Sequence, residues 1–325
     1  MGPAELVQAT AIARQYYLGG MTKVEIATAH GLSRYKVARI LDACREEGIV
    51  RVEINGGAAL DTELSERLRT HYRLRHALVV SGPFNDAPAL REALGRAAAD
   101  LLSEVVTEDD VLGVAWGRTL DAMAERVQGL PPCRIVQMTG IAGAIEASSV
   151  DLVRRLTSVS RGPHHPIYAP LVVSDPDALH TMQRQPSIQA AVSRWSTITV
   201  AAVAVGGWDP DGSQVHSVLS RRDRAELDRH DVVCEICAIP FDADGRPVVT
   251  SLTDRTMAIP YTDLERIPEV IAVAGGEAKT DALRAVLRGR AVTSLITDST
   301  VAARLLSEEP PTERSRRQST RGESK

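Results

Sequence analysis

From Arg75 to Leu306 the chain alternates short apolar runs with stretches of helical periodicity, and this alternation limits its fold more than any other feature. The runs His76–Val80, Val111–Ala115, Arg134–Met138, Ile198–Val205, Val232–Ile239, Val270–Ala274 and Thr293–Thr297 read as strands. Most are apolar along their length, as strands covered on both faces must be. Between them Ala89–Val106, Leu120–Gln128, Asp151–Ser160, Arg184–Arg194, Arg221–Arg229 and Thr280–Arg288 read as helices. That order predicts an α/β fold: a doubly wound, largely parallel, Rossmann-like sheet. Phe241–Val249, with its Asp242-Ala-Asp-Gly turn, predicts a hairpin inserted beside the main sheet.

The first 56 residues follow a different rule. Residues 3–18 form a helix with Leu6, Ala9, Ile12, Ala13, Tyr16 and Tyr17 on one stripe, and Gly19-Gly20 ends it. Thr22 stands where a helix N-cap belongs, and Glu25 completes a capping box. Gly31 stops that helix, and Ser33 caps the next, whose buried face is Val37, Ile40 and Leu41. Gly48 ends it, and Ile49–Ile54 alternates apolar and charged residues like the strand of a wing. The pattern predicts a winged helix-turn-helix, whose second helix reads base edges through its N-terminal residues. Ser33, Arg34, Tyr35 and Lys36 are the base-edge or phosphate candidates. Arg39 lies one turn later, and Lys23 on the preceding helix suits a phosphate contact.

Net charge is −4, which alone argues against a nucleic-acid binder, but its distribution does not. Residues 1–55 hold seven Lys/Arg and six Asp/Glu, with the cations gathered at Arg34, Lys36 and Arg39. A basic helix on an acidic body suits operator recognition without excessive non-specific adhesion to phosphates. The four cysteines do not make the disulfide framework of a small secreted domain. No signal peptide and no apolar run of membrane-spanning length is recognised, so a soluble cytoplasmic protein with no membrane partner is expected.

Several strands run directly into glycine turns, where an open α/β sheet takes its ligands. Gly117-Arg118-Thr119 follows the second strand; there a glycine admits close approach of an anion and the next helix points its positive end. Thr139-Gly140 follows the third strand, and Gly206-Gly207 a later one. Gly275-Gly276 with Lys279 is the strongest, a phosphate or carboxylate cradle, although any single glycine pair also fits an ordinary strand-to-helix turn. Only four lysines occur in the chain, and Lys279 is alone between Lys36 and Lys325, which suggests that a compact ammonium is wanted there. Asp242 belongs to a turn or bonds a sugar hydroxyl, and Glu235 and Asp254-Arg255 are polar groups of the same kind. Cys234 and Cys237, inside one predicted strand, point to opposite faces and are expected as core residues. His164-His165-Pro166 is expected as a loop, and no metal site or cofactor is implied.

From about Ala11 to Leu306 the chain resembles the SorC-type transcriptional regulators of bacterial sugar metabolism. The resemblance rests on ordered segments: EEGIVRVEI after the helix-turn-helix, GVAWGRTL, VQMTG, YAPL at Tyr168–Leu171, VAVGG, CEICAIPFDADGRPV, LTDRTMAI and VIAVAGGEAKTDALRAVLRGRAVTSLITD. It implies an effector domain similar to sugar-phosphate isomerases and deaminases, a phosphorylated sugar or polyol effector, operator DNA as partner, and a homo-oligomer, dimer or tetramer. By the same resemblance Gly117, Arg118, Thr119, Thr139 and Gly140 line the effector site, Glu235 and Asp242 contact hydroxyls, and Lys279 holds phosphate. The chain departs from the family's pattern at Cys234, Pro240 and Thr139-Gly140-Ile141.

The expected organisation is a DNA-binding domain over 1–56, a connector over 57–74, an effector domain over 75–308 and a disordered tail over 309–325. The function this implies is a sequence-specific DNA-binding regulator, a repressor or an activator, and not an enzyme. The alternative is a sugar-phosphate isomerase or deaminase with a DNA-binding appendage, which requires a group placed for proton transfer.

Overall fold

The structure, a computed structural model, describes residues 2–50, 59–142, 149–210 and 212–307. The chain divides into two compact units, Met1–Asn55 and Gly56–Lys325. The wing strand beyond Val50, the glycine pair Gly56-Gly57 and the tail from 309 lie outside the described residues.

In the first unit, helices Pro3–Tyr17, Lys23–His30 and Arg34–Glu46 enclose a core of Ala9, Ile12, Ile26, Val37, Leu41 and Cys44. The capping box closes as its residues require. Thr22 Oγ1 accepts from the Glu25 amide at 3.3 Å, and Glu25 Oε2 accepts from the Thr22 amide at 2.8 Å. Gly31 ends the second helix in the left-handed region at φ 62°, and Leu32 packs against the core just before Ser33 caps the third helix. Of the stripe expected on the first helix only Ala9, Ile12 and Ala13 are buried; Leu6 and Tyr17 are 44% and 38% exposed.

Among the described residues the second unit holds ten strands: β1 Ala77–Val80, β2 Val111–Val114, β3 Arg134–Gln137, β4 His164–His165, β5 Val200–Ala204, β6 Gly206–Gly207, β7 Cys234–Ile236, β8 Ile239–Phe241, β9 Glu269–Val273 and β10 Ser294–Asp298. Seven form one sheet in the order β1-β10-β9-β5-β2-β3-β4, and every pairing in it is parallel. Leu112, Ala201, Ala272, Leu295 and Ile296 are fully buried, which explains the unbroken apolar runs of the central strands. From β2 the chain steps outward to β3 and β4, whereas from β5 it steps the other way to β9 and β10. The direction reverses between β2 and β5, and crevices for ligands open at such a point.

Four local differences from the sequence reading have physical causes. Val232–Ile239 is not one strand of the main sheet. Cys237 and Ala238 adopt φ of 53° and 63°, reversing the chain after Ile236, so β7 pairs antiparallel with β8 on one side and β6 on the other in a separate three-stranded sheet. Consequently the two cysteines do not share a strand: Cys234 is on β7 and Cys237 in the turn, both buried. His164–His165 is not loop but a short edge strand beside β3. The hairpin expected over Phe241–Val249 is short: the Gly245 amide closes the turn on the Asp242 carbonyl, the Asp242 and Val248 amides donate across to the Arg246 and Pro240 carbonyls, and one bridge joins Phe241 and Pro247.

Arg184–Arg194 narrows to the helix Pro186–Val192, because a proline with fixed φ starts a helix well at its first position. Helix Thr62–Tyr72 packs on the second unit's own core through Leu68, and Ser65 Oγ accepts from the Val79 amide at 2.9 Å.

Candidate functional site

Three strands of the sheet end in turns that only small residues permit. After β2, Gly117 takes φ 151°, and a Cβ there would lie 2.8 Å from that of Ala204. After β5, a Cβ on Gly206 would lie 2.1 Å from Glu235 Oε1. After β9, Gly276 takes φ 92°, and its amide donates to Asp298 Oδ2 at 2.6 Å. Asp298, at the end of β10, also accepts from the Thr300 and Val301 amides, so one carboxylate fixes a helix start and the glycine turn together.

These three ends surround a cavity of ≈ 160 Å³ at the reversal point of the sheet. Two helical segments start at its edge, Arg118–Arg126 after Gly117 and Glu277–Lys279 after Gly276, and neither has a side-chain cap. The orphan amides of such starts attract an anion.

The cavity is also lined by two charged side chains of opposite sign, Glu235 and Lys279. Glu235, only 5% exposed, accepts from Ser213 Oγ at 3.2 Å and from the Ala238 amide at 3.0 Å. Burial pushes its carboxyl above the ordinary carboxylate range, while these hydrogen bonds and Lys279 oppose the shift. Lys279 Nζ donates to the Gly212 carbonyl at 2.5 Å. Burial pulls the Lys279 ammonium below the usual lysine range, against the pull of Glu235 and Asp209.

Of the residues singled out in the sequence, Gly117, Arg118, Thr119, Glu235, Gly275, Gly276 and Lys279 line this cavity. Thr139, Gly140 and Asp242 are not in its wall. Thr139 is fully buried and bridges Ala258, and the Gly140 amide donates to the Met257 carbonyl at 2.6 Å. A Cβ on Gly140 would lie 2.7 Å from the Pro170 carbonyl oxygen, so close packing demands glycine there. Asp242 Oδ1 accepts from the Asp244 and Arg246 amides at 2.9 Å each, and these bonds hold its own turn.

Arg91, Trp116, Gln214 and Cys237 line the cavity without having been read as site residues. Trp116 sits inside GVAWGRTL, so its neighbours signalled it; Arg91 and Gln214 arrive from helices whose sequence carries no such mark.

In the first unit, Ser33 Oγ accepts from the Lys36 amide at 3.2 Å, which commits it to capping. Arg34, Tyr35, Lys36 and Arg39 project from the same helix and are exposed, Tyr35 by 83%. Lys23 Nζ stands over the Tyr16 ring, 5.7 Å from its centroid. Among the described residues no group of acidic, histidine or cysteine side chains is arranged to hold a metal ion, and no helix is long and apolar enough to cross a membrane.

Residues 58–307 match the Sugar-bind family, described as "Putative sugar-binding domain". The chain belongs to the sugar-binding domain family of SorC-type transcriptional regulators. The transcriptional regulator LsrR of Escherichia coli K12 is 28% identical over 312 residues, covering 94% of this chain and 96% of its own. The uncharacterized transcriptional regulator YjhU of the same strain is 28% identical over 305 residues, covering 91% and 93%.

The full-length sorbitol operon regulator SorC from Klebsiella pneumoniae superposes with a TM-score of 0.71 at 24% identity, over 93% of this chain and 99% of that one. A transcriptional regulator from Streptococcus pneumoniae gives 0.70 at 25% identity, over 76% and 96%. These neighbours share the parallel sheet, and the family's domain begins beyond the helix-turn-helix, so the fold is α/β with an N-terminal helical unit. The chain is thus a DNA-binding regulator with a sugar-type effector.

Proposed function

We propose that the effector is a phosphorylated sugar, bound in the cavity at the ends of β2, β5 and β9, and that it sets the affinity of the Arg34–Glu46 helix for operator DNA. The observation that carries this reading is the convergence of two uncapped helical starts and one half-buried ammonium on a single small cavity. Amide donors on glycine turns and a compact cation together suit a phosphate, whose oxygens accept from several directions.

Gly117, Thr119, Gly275, Gly276 and Lys279 hold the phosphate in this reading, with Arg118 at the rim. Glu235, fixed by two donors, accepts from a sugar hydroxyl. Thr139 and Gly140 act through local packing and Asp242 by holding its own turn, away from the ligand. Arg34, Tyr35, Lys36 and Arg39 meet the major groove, and Lys23 meets phosphate. The effector acts by binding one operator-affinity state more tightly than the other, whether the outcome is repression or activation. A homo-oligomer with two helix-turn-helix units would match a palindromic operator.

The enzyme alternative needs a free acid–base group at the reacting carbons. Glu235 already accepts two hydrogen bonds, which favours a binding role over proton transfer. Calorimetric titration with sugar phosphates and the matching free polyols tests the reading. Saturable binding of a phosphorylated sugar without turnover supports it; tight binding of polyols alone, or turnover, overturns it.

A further inference from the structure

Two of the charged groups that line the cavity, Lys279 and Glu235, are tied to one short turn. Lys279 Nζ donates to the Gly212 carbonyl, and Glu235 Oε1 accepts from Ser213 Oγ. The turn is stapled by Asp209, whose Oδ1 accepts from the Gly212 amide at 2.7 Å and whose carbonyl accepts from the Ser213 amide at 3.0 Å. Ser213 Oγ also accepts from the His216 amide at 3.2 Å and so caps the helix Gln214–Val218. Gly212 permits the approach: a Cβ there would lie 2.2 Å from Asp209 Oδ2 and 2.9 Å from the Gly207 carbonyl oxygen. Gly212 and Gln214 both line the cavity.

Volume supplies a second, independent observation. At ≈ 160 Å³ the cavity is smaller than the roughly 300 Å³ at which sites enclosing small molecules begin. The wall that contains Gly212 and Gln214 is held by side-chain ties, whereas the walls at β2, β5 and β9 belong to the sheet. Space is therefore gained most readily by moving that turn.

We propose that the Gly212–Ser213 step is a latch across the cavity, held by Lys279 and Glu235, and that an anionic effector opens it by taking the Lys279 ammonium from the Gly212 carbonyl. The inference rests on the assignment of Lys279 to the effector's phosphate. A phosphate oxygen brings a formal charge that the carbonyl lacks, and hydrogen bonds between two ionised groups are the stronger kind. A neutral polyol brings only hydroxyls and leaves the ammonium on the carbonyl. Opening also loosens Ser213, and with it the start of the Gln214–Val218 helix. The latch thus separates phosphorylated from free sugars by whether they switch the protein, and not only by how tightly they bind.

Hydrogen–deuterium exchange of the peptide spanning residues 207–219, measured on the full chain, tests this. The conditions are the protein alone, with glucose 6-phosphate, with inorganic phosphate and with sorbitol, each paired with calorimetry. Without ligand, K279M is expected to exchange the Gly212, Ser213 and His216 amides about tenfold faster than the unsubstituted chain, the weight of one hydrogen bond to a charged group. A bound phosphate probe is expected to have the same effect on the unsubstituted chain, and sorbitol none.

Equal exchange in K279M and the unsubstituted chain overturns the latch. If K279M loosens the whole domain, S213A decides instead: faster exchange at Gly212 and His216 alone supports the latch, and unchanged exchange overturns it. A phosphate probe that binds but leaves this peptide unchanged or slower removes the latch and leaves the effector reading standing. Acceleration by sorbitol equal to that by phosphate overturns the requirement for an anion. Should neither phosphate probe bind, the effector reading is what suffers, and the ligand-free comparison of K279M still decides the latch.

Discussion

Asp298 joins the edge of the cavity at β9 to the stability of its domain, and two substitutions there separate the contributions. Its carboxylate is 5% exposed and does two jobs: Oδ1 accepts from the Thr300 and Val301 amides, and Oδ2 from the Gly276 amide. Loss of a helix N-cap costs about 1 kcal/mol, and a hydrogen bond to a charged group contributes about 1.5–3 kcal/mol. Asp298→Ala removes both and is expected to destabilise the second unit by about 2–4 kcal/mol. Asp298→Asn keeps one acceptor, and asparagine caps helices as well as aspartate does. Its amide nitrogen must then face either the Gly276 N–H or the helix start, so one set of bonds is removed and about half of that cost is expected.

Urea denaturation followed by circular dichroism measures both variants, and calorimetry with a sugar phosphate measures what the loosened Gly276 turn does to binding. Affinity is expected to fall in both, because the glycine turn is no longer held at the cavity edge. A midpoint for Asp298→Asn equal to that of the unsubstituted chain, with Asp298→Ala losing only a cap's worth, would refute the tie between Asp298 and the turn.

Other consequences are open to direct measurement. Asp121 is raised from 3.8 to about 6, first by burial and then by Glu125, with Arg155 opposing. The folded chain therefore keeps a proton between about pH 4 and 6 that the unfolded chain has released, and this group's contribution to stability falls as pH rises through that window. Asp121→Asn is expected to be the more stable form at about pH 7.5, by on the order of 1–3 kcal/mol, with little difference near pH 4, in paired urea melts. Arg34→Ala and Lys36→Ala are expected to weaken operator binding and to leave calorimetric effector affinity unchanged; a substitution that frees one DNA phosphate lowers the salt slope of log K by about 0.9. Thr22→Ala, which breaks the capping box, is expected to cost about 1 kcal/mol in the stability of the first unit, read by thermal melting of residues 1–55 within the full chain.

Much of this molecule is visible in its residues because local chemistry and tertiary role coincide. Thr22, Glu25, Gly31 and Ser33 specify helix ends through their own backbone bonds, so the helical unit reads directly. The parallel sheet reads as well, since strands buried on both faces leave unbroken apolar runs, and the glycines that end them are demanded by neighbours that a Cβ would strike. The turn at Cys237-Ala238 is different. Two residues with side chains occupy left-handed conformations where asparagine or glycine would announce a hairpin, so the run reads as one strand. β4 is two histidines on a sheet edge, too short for any periodicity to register.

Arg91, Gln214 and Ser213 enter the cavity region only because the fold delivers them, and nothing beside them in sequence says so. Asp242 shows the converse: a carboxylate in a polar turn has the look of a ligand contact, and its Oδ1 accepts from the Asp244 and Arg246 amides.

In the proposed function an anion at Lys279 governs what the Arg34–Glu46 helix does to DNA. The most direct test is a gel-shift titration on an operator recovered by selection from random duplexes, with the unsubstituted chain and Lys279→Ala side by side. Equal operator affinity without effector is expected for the two proteins. A phosphorylated sugar is expected to change the affinity of the unsubstituted chain, while Lys279→Ala needs roughly tenfold more, or higher, for the same response. An identical response at identical concentrations would contradict the account.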